Sequence, residues 1–337
     1  MQKKIIALAI ASAISAPAFA SNANVEIYGK AFMTVEAAVT DSKASSSTTR
    51  INTNASRLGF KGKEDLGEGL KAFYQYEVQM DADGSAGNGL GKTRNSGAGI
   101  ESELGTVTMG IWDTPFKLAH NKIELFDNTT GFTTTKTIGM SANAKDFNSR
   151  SANSVSYTSP SIAGVKLMGA YIADETTNRK NRISASATFE MDDLYVAAAG
   201  ETRPDQSTAS TADTALRMVA QYRLGDVWVG GAYEMLKINR AASTSYTQNN
   251  FELAGSYKLG TSSFGLAYVN AGASDQADTS ASQISARYGY TFSKRTEVFA
   301  AYSTLTNAKS VKYSLGSGAA TNGAIESVMG LGVIHSF

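Results

Sequence analysis

Segments of about ten residues that alternate apolar with polar or small side chains fill this chain, and they constrain its fold more than any other feature. In 182–190 one face reads Ile183, Ala185, Ala187 and Phe189, while the other reads Arg182, Ser184, Ser186, Thr188 and Glu190. The same period runs through Leu216, Met218, Ala220 and Tyr222, through Phe251, Leu253, Gly255 and Tyr257, and through Ile284, Ala286, Tyr288, Tyr290 and Phe292. A period of two sends successive side chains to opposite faces of a strand. Helical periodicity is scarce, and beyond residue 20 no window approaches the roughly 20 apolar residues of a membrane helix. The chain reads as all-β.

Alternation alone also suits a soluble sandwich, which buries its apolar face and wets the other. Three features favour a membrane barrel with its apolar face toward lipid and its polar face toward water. The strands run about ten residues, enough to cross a bilayer at a tilt, whereas sandwich strands are typically nearer five or six. Aromatic rings sit near the ends of the apolar faces, at Tyr171, Phe189, Tyr222, Tyr233, Tyr257 and Phe292, where an interfacial girdle needs them. Connections alternate between tight turns (191–193, 224–226, 259–261, 293–295) and long polar stretches (201–213, 239–247, 271–279, 306–323). Counting from Val25 gives a 16-stranded antiparallel transmembrane β-barrel. Residues 94–101 form a Gly-rich, poorly marked strand, so fourteen and eighteen are the competing even counts.

Composition removes several function classes. With no cysteine and two histidines, His120 and His335, thiolate metal sites are excluded and a histidine-based catalytic centre is poorly supplied. Residues 1–20 show a basic Lys3-Lys4 start, an apolar run over 5–14 and an Ala18-Phe19-Ala20 cleavage pattern, the signature of a secretory signal peptide. The expected domains are thus a signal peptide (1–20) and one barrel (21–337). The barrel then carries a formal charge of −1, because the leader holds two lysines and no acid. Nothing in that balance suggests a nucleic-acid partner.

Specific blocks narrow the reading further. Val25-Glu26-Ile27-Tyr28-Gly29-Lys30, Ser56-Arg57-Leu58-Gly59-Phe60-Lys61-Gly62-Lys63-Glu64-Asp65-Leu66-Gly67 and Leu70-Lys71-Ala72-Phe73-Tyr74-Gln75-Tyr76-Glu77 are similar to blocks of the Gram-negative general diffusion porins. So are Gly105-Thr106-Val107-Thr108-Met109-Gly110, Asn153-Ser154-Val155-Ser156-Tyr157 and the final Phe337. The resemblance implies a homotrimer in the bacterial outer membrane. It also implies passive diffusion of ions and small hydrophilic solutes, contact with outer-membrane lipid and lipopolysaccharide, and no cofactor.

The longest connection, 113–150, is too long for a hairpin, and loops of such length are usually functional or disordered. The resemblance implies that this third loop folds into the lumen and forms the pore constriction. Its acidic candidates are Glu124 and Asp127, although the Pro-Glu-Phe-Gly-Gly stretch common at the family's loop tip is missing. Basic residues of the family facing such a loop correspond to Lys30, Arg57 and Arg94, with Arg150 a fourth where the correspondence shifts by one residue. Opposed fixed charges across a narrow gap orient water and dipolar solutes and filter by size and charge. The inferred lumen faces carry Lys30, Arg57, Lys61, Lys71, Lys166, Arg182, Arg217 and Arg287 against Glu26, Glu77, Glu234 and Glu252. That basic excess points toward anions.

Other motifs carry less. Asn128-Thr129-Thr130 fits a glycosylation triplet, out of place in this compartment. Asp81-Ala82-Asp83-Gly84 lacks the spaced carboxylate of a calcium loop, so no metal site is expected. Gly87-Asn88-Gly89-Leu90-Gly91 lacks the strand–helix context of a phosphate cradle. His335 and Phe337 match, by resemblance, the family's recognition signal for the outer-membrane assembly machinery. A solute-specific channel and a surface receptor or adhesin remain the alternative functions.

Overall fold

A computed structural model describes residues 25–41, 46–84, 89–126, 131–176, 180–204, 212–241, 244–316 and 321–337. The signal-peptide expectation for 1–20 lies outside the described residues, as do Asp127 and the 128–130 triplet. Along the chain run β1 (Glu26–Asp41), β2 (Ser46–Thr53), β3 (Arg57–Gly67), β4 (Leu70–Met80), β5 (Leu90–Thr93), β6 (Ser96–Ser102), β7 (Gly105–Asp113), α1 (Pro115–His120) and β8 (Arg150–Thr158). There follow β9 (Val165–Ile172), β10 (Arg182–Met191), β11 (Leu194–Pro204), β12 (Ala212–Leu224), β13 (Val227–Ala241), β14 (Thr244–Leu259), β15 (Ser262–Ala271), β16 (Ala281–Thr291), β17 (Thr296–Asn307) and β18 (Ile325–Ser336).

All these strands belong to one antiparallel sheet, and β18 pairs back onto β1 from Lys30↔Ser336 to Asp41↔Ile325. The sheet is therefore a closed barrel. Closure matters because hydrocarbon offers no water to an unpaired backbone group, so a spanning sheet cannot have an edge. The eighteen segments make sixteen staves: β2 and β3 both pair with β1, and β5 and β6 both pair with β4, each couple being one interrupted strand. The expected count holds, and the poorly marked Gly-rich stretch proves to belong to one of the two interrupted staves.

The outward faces follow the alternation. Leu216, Met218, Tyr222, Tyr233, Leu253, Tyr257 and Phe292 are all exposed on the outside of the wall. Small residues let neighbouring rings lie flat: a Cβ on Gly62 would fall 2.6 Å from the Tyr74 ring.

The inward faces depart from the expectation of a polar lining. Ala197, Ala199, Val219, Leu236, Ile238, Val269, Leu305 and Val328 point inward and are buried. They are dry because the 113–150 loop lies inside the barrel and covers them. Phe116, Ala119, Ile123, Ile138 and Phe147 of the loop pack against the β11–β15 wall. Phe126 and Phe132 join Phe32, Phe299, Leu305 and Val328, together with Val311, Tyr313 and Leu315 from the β17–β18 connection. The interior is thus divided between packed core and lumen, and the side left open runs from β3 to β9, joined by the Glu26–Lys30 end of β1. Replacing Leu253, on the outward face near the middle of β14, by Arg is expected to destabilise the barrel by about 2–4 kcal/mol, read as the urea midpoint of protein folded into lipid vesicles.

Candidate functional site

The loop is held by a row of buried polar side chains on the covered wall. Thr114 caps α1, accepting the Lys117 N–H, and Pro115 occupies the first turn, where its missing N–H is harmless. Phe116 donates its N–H to Ser184 Oγ (3.0 Å), and its carbonyl accepts from the Arg217 guanidinium (2.9 Å). That guanidinium also stacks on the Phe116 ring (4.1 Å) and donates to Asn148 Oδ1 (2.7 Å). Arg217 pairs with Glu234, whose second oxygen accepts the Gly139 N–H (2.6 Å). Further along, His120 Nε2 meets Glu252 Oε2 at 2.6 Å, Tyr195 donates to the Ala119 carbonyl, Gln248 accepts the Ala142 N–H, and Gln283 accepts the Thr137 hydroxyl.

Across the open side the structure gathers the expected cations. Lys30 on β1 is buried and stands directly opposite Arg57 on β3. Arg57 and Arg94 share Glu77 of β4, at 3.6 and 2.6 Å, and Tyr28 donates its hydroxyl to the same carboxylate (3.1 Å). Arg150 pairs with Asp113 (3.3 Å) and donates to Asn95 Oδ1 (2.6 Å), while Lys117 reaches Asp113 at 2.7 Å. The arc continues onto β10 and β11, where Arg182 and Arg203 share Glu201 (2.5 and 2.6 Å) and both donate to Ser149 Oγ. Among the described residues this arc holds seven cations, Lys30, Arg57, Arg94, Lys117, Arg150, Arg182 and Arg203, against four carboxylates, Glu77, Asp113, Glu201 and Asp146, the last beside Arg203.

Interruptions of the sheet aim these side chains. Arg57 opens β3 just after the break at 54–56, where the Ser56 hydroxyl bonds the Phe32 backbone, and Arg94 sits inside the break between β5 and β6. Arg150 and Asp113 close the ladder between β7 and β8, past a register shift at Gly110/Trp112. Gly110 there has φ +141°, and a Cβ would strike the Ser96 carbonyl at 2.3 Å, so the shift requires glycine. Irregularities of this kind bend a strand and re-aim its side chains. The arginines of the arc keep only 14–26% of their side-chain surface accessible, so water screens them less than it would a surface charge.

Glu124, expected on the acidic face of the gap, is turned into the loop instead. It accepts the Phe126 N–H and the hydroxyls of Thr133 and Thr134, and its charged neighbours are His120 and Glu252 rather than the arc. Those three donors, all within ten residues, claim it locally. Glu77 and Asp113 hold the arc's cations instead. The period-two parity of β4 already placed Glu77 in the lumen; that it would clamp two arginines required the cross-strand register. His335 faces outward and meets the Thr296 hydroxyl at 2.9 Å, and Phe337 pairs its backbone with Gly29. Asp81 and Asp83 bond Gln79 and the Thr53 N–H respectively, and among the described residues no group of three or more His, Asp or Glu is placed to hold a metal.

The comparisons with known proteins agree on the type of molecule. The sequence model of a family described as Gram-negative porin matches residues 7–310. The outer membrane porin protein 32 of Delftia acidovorans is 27% identical over 329 residues, covering 91% of this chain and 90% of its own. Among solved structures, the anion-selective porin from Comamonas acidovorans superposes with a TM-score of 0.81 at 23% identity, over 93% of this chain and 99% of that one. The trimer form of OmpT of Vibrio cholerae does so at 0.70 and 16%, over 93% and 99%.

Two outcomes are expected. Arg217→Met strands the buried Glu234 carboxylate and should cost about 3–5 kcal/mol of stability, with Arg217→Met/Glu234→Leu recovering most of it in the urea midpoint. Burial in the loop also holds the Glu124 carboxyl above the usual carboxylate range. An acid raised in the folded state contributes stability that is fully present below its unfolded pKa and is lost as pH rises through the folded one. Compared across pH 4 to 8, wild-type protein should therefore lose stability relative to Glu124→Gln as pH rises, and the gap should close in acid.

Proposed function

The chain belongs to the Gram-negative porin family, and from that premise we propose that its cationic arc makes it an anion-preferring pore for small hydrophilic solutes. As a member of that family it is a passive diffusion channel of the outer membrane. In our reading Lys30, Arg57, Arg94 and Arg150 form the pore constriction with Asp113 and the base of the 113–150 loop, and residues 1–20 are removed on export. The observation that carries the preference is the excess of seven cations over four carboxylates on the open side of the lumen. Fixed charge in a partly desolvated gap concentrates counter-ions and repels co-ions, and the effect fades as salt shortens the screening length.

The carboxylates have a part in this. Glu77 holds two guanidinium groups and a phenol in fixed positions, so the field is ordered rather than averaged over rotamers. The assembly we propose is a homotrimer with one pore per subunit, in keeping with the trimer form of the structural neighbour. The outward placement of His335 and the Gly29 contact of Phe337 suit recognition by the assembly machinery. No step here requires bond making, and we read the chain as a channel and not an enzyme.

The test is the reversal potential of purified protein in a planar bilayer across a tenfold KCl gradient. Anion preference is expected, falling several-fold in Arg57→Ser/Arg94→Ser/Arg150→Ser and more steeply at low than at high salt. A cation-preferring wild type, or a triple variant with unaltered preference, contradicts the proposal.

A further inference from the structure

Below the arc, toward the short-turn rim, the lumen wall changes character. There a recess of about 560 Å³ opens between β1, β3, β4, β6 and β7, within the size range of small-molecule sites. It holds Lys61 paired with Glu26 (3.1 Å), Lys63 paired with Glu101 (2.5 Å), the Gln75 side chain, and the ring of Phe73. These two cations and two carboxylates cancel, as do Lys71 and Asp65 facing each other beside Glu101, so the recess, unlike the arc, has little net attraction for a simple anion.

Phe73 is the unexpected member. It is on the inward face, opposite Lys63, and partly exposed, in a wall whose neighbouring positions are otherwise polar or glycine. Its ring lies across Gly99, where a Cβ would come within 2.6 Å of it, so the wall is recessed to seat the ring. A phenyl group left partly in water inside a conducting channel gains nothing from hydration. It does offer an apolar surface to whatever passes.

The two ion pairs beside it are open to solvent: Lys61 and Glu26 keep 44% and 60% of their side-chain surface, Lys63 and Glu101 49% and 40%. Exposed pairs of this kind are worth little, so they exchange readily for the charges of a solute. A zwitterion would give its carboxylate to a lysine and its ammonium to a glutamate without leaving either partner unpaired. Lys61 and Lys63 stand about 7 Å apart, two residues along one strand, with Phe73 facing the lower of them.

We propose that this recess is a binding subsite for zwitterionic solutes carrying an apolar side chain, of the amino-acid class, with Phe73 taking the side chain, Lys63 the carboxylate and Glu101 the ammonium. The proposal rests on the channel reading but not on its anion preference.

The experiment is single-channel recording in KCl with phenylalanine added on the short-turn side, compared with glycine and with 3-phenylpropionate, which lacks the ammonium. Phenylalanine is expected to lower the ion current saturably, and glycine and 3-phenylpropionate to act more weakly. The half-effect concentration should rise about fivefold in Phe73→Ser and in Glu101→Gln, each recorded separately. Equal or non-saturating effects of the three solutes, or variants that respond as the wild type does, overturn the subsite. KCl steps recorded first in the same membrane separate the two readings: absent steps count against the channel, whereas steps with no phenylalanine effect count against the recess alone.

Discussion

Everything inside this molecule depends on the closure of its sheet. A strand in hydrocarbon must find partners for every backbone donor and acceptor within the protein, and β18 returning to β1 over twelve register pairs supplies the last of them. Sixteen staves then enclose more space than inward side chains can fill, so the interior must be occupied by water or by chain. Here it is both. The 113–150 loop fills the side from β11 through β18 to β1 with two apolar clusters, and the remaining path follows β3 to β9.

That division explains where polar groups sit. On the covered side, buried polar and charged groups are paired with one another and with loop groups, as in Arg217–Glu234 with Phe116, Asn148 and Gly139 and in Glu252 with His120, because a lone charge there would be costly. On the open side, cations outnumber acids and the arginines stay partly hydrated. Glu77 and Asp113 hold the arginines in place without cancelling them. Arg57 and Arg94 sit beside the strand breaks at 54–56 and 94–95 and reach one carboxylate of β4 from the two sides of that strand.

Much of this was legible from residues. The period of two fixed which side chains face lipid, as Leu216, Met218 and Leu253 illustrate, and spacing alone separated the two rims. Parity also placed Lys30, Arg57 and Glu77 in the lumen. Sequence could not show that the inward faces of β11 to β17 would be apolar in part: Val219, Leu236 and Leu305 break the polar pattern only because a distant loop covers them. Glu124 was misleading for a related reason. An acid in a long loop reads as available, whereas Thr133 and Thr134, nine and ten residues on, donate to it and draw it inside. The interruption of the β5–β6 stave surfaced only as a strand too rich in glycine to be counted with ease.

The central claim is that the open path runs along β3 to β9 while the opposite inner wall is sealed beneath the loop. The chain has no cysteine, so single cysteines report on it cleanly. Gln75→Cys lies on the open wall and Ser303→Cys on the sealed one, where the native serine is fully buried. The direct measurement is the change in single-channel current when each is treated with a cationic methanethiosulfonate. The account predicts rapid labelling and a stepwise fall in current for the first and none for the second; equal labelling of both, or labelling of Ser303→Cys alone, would contradict it.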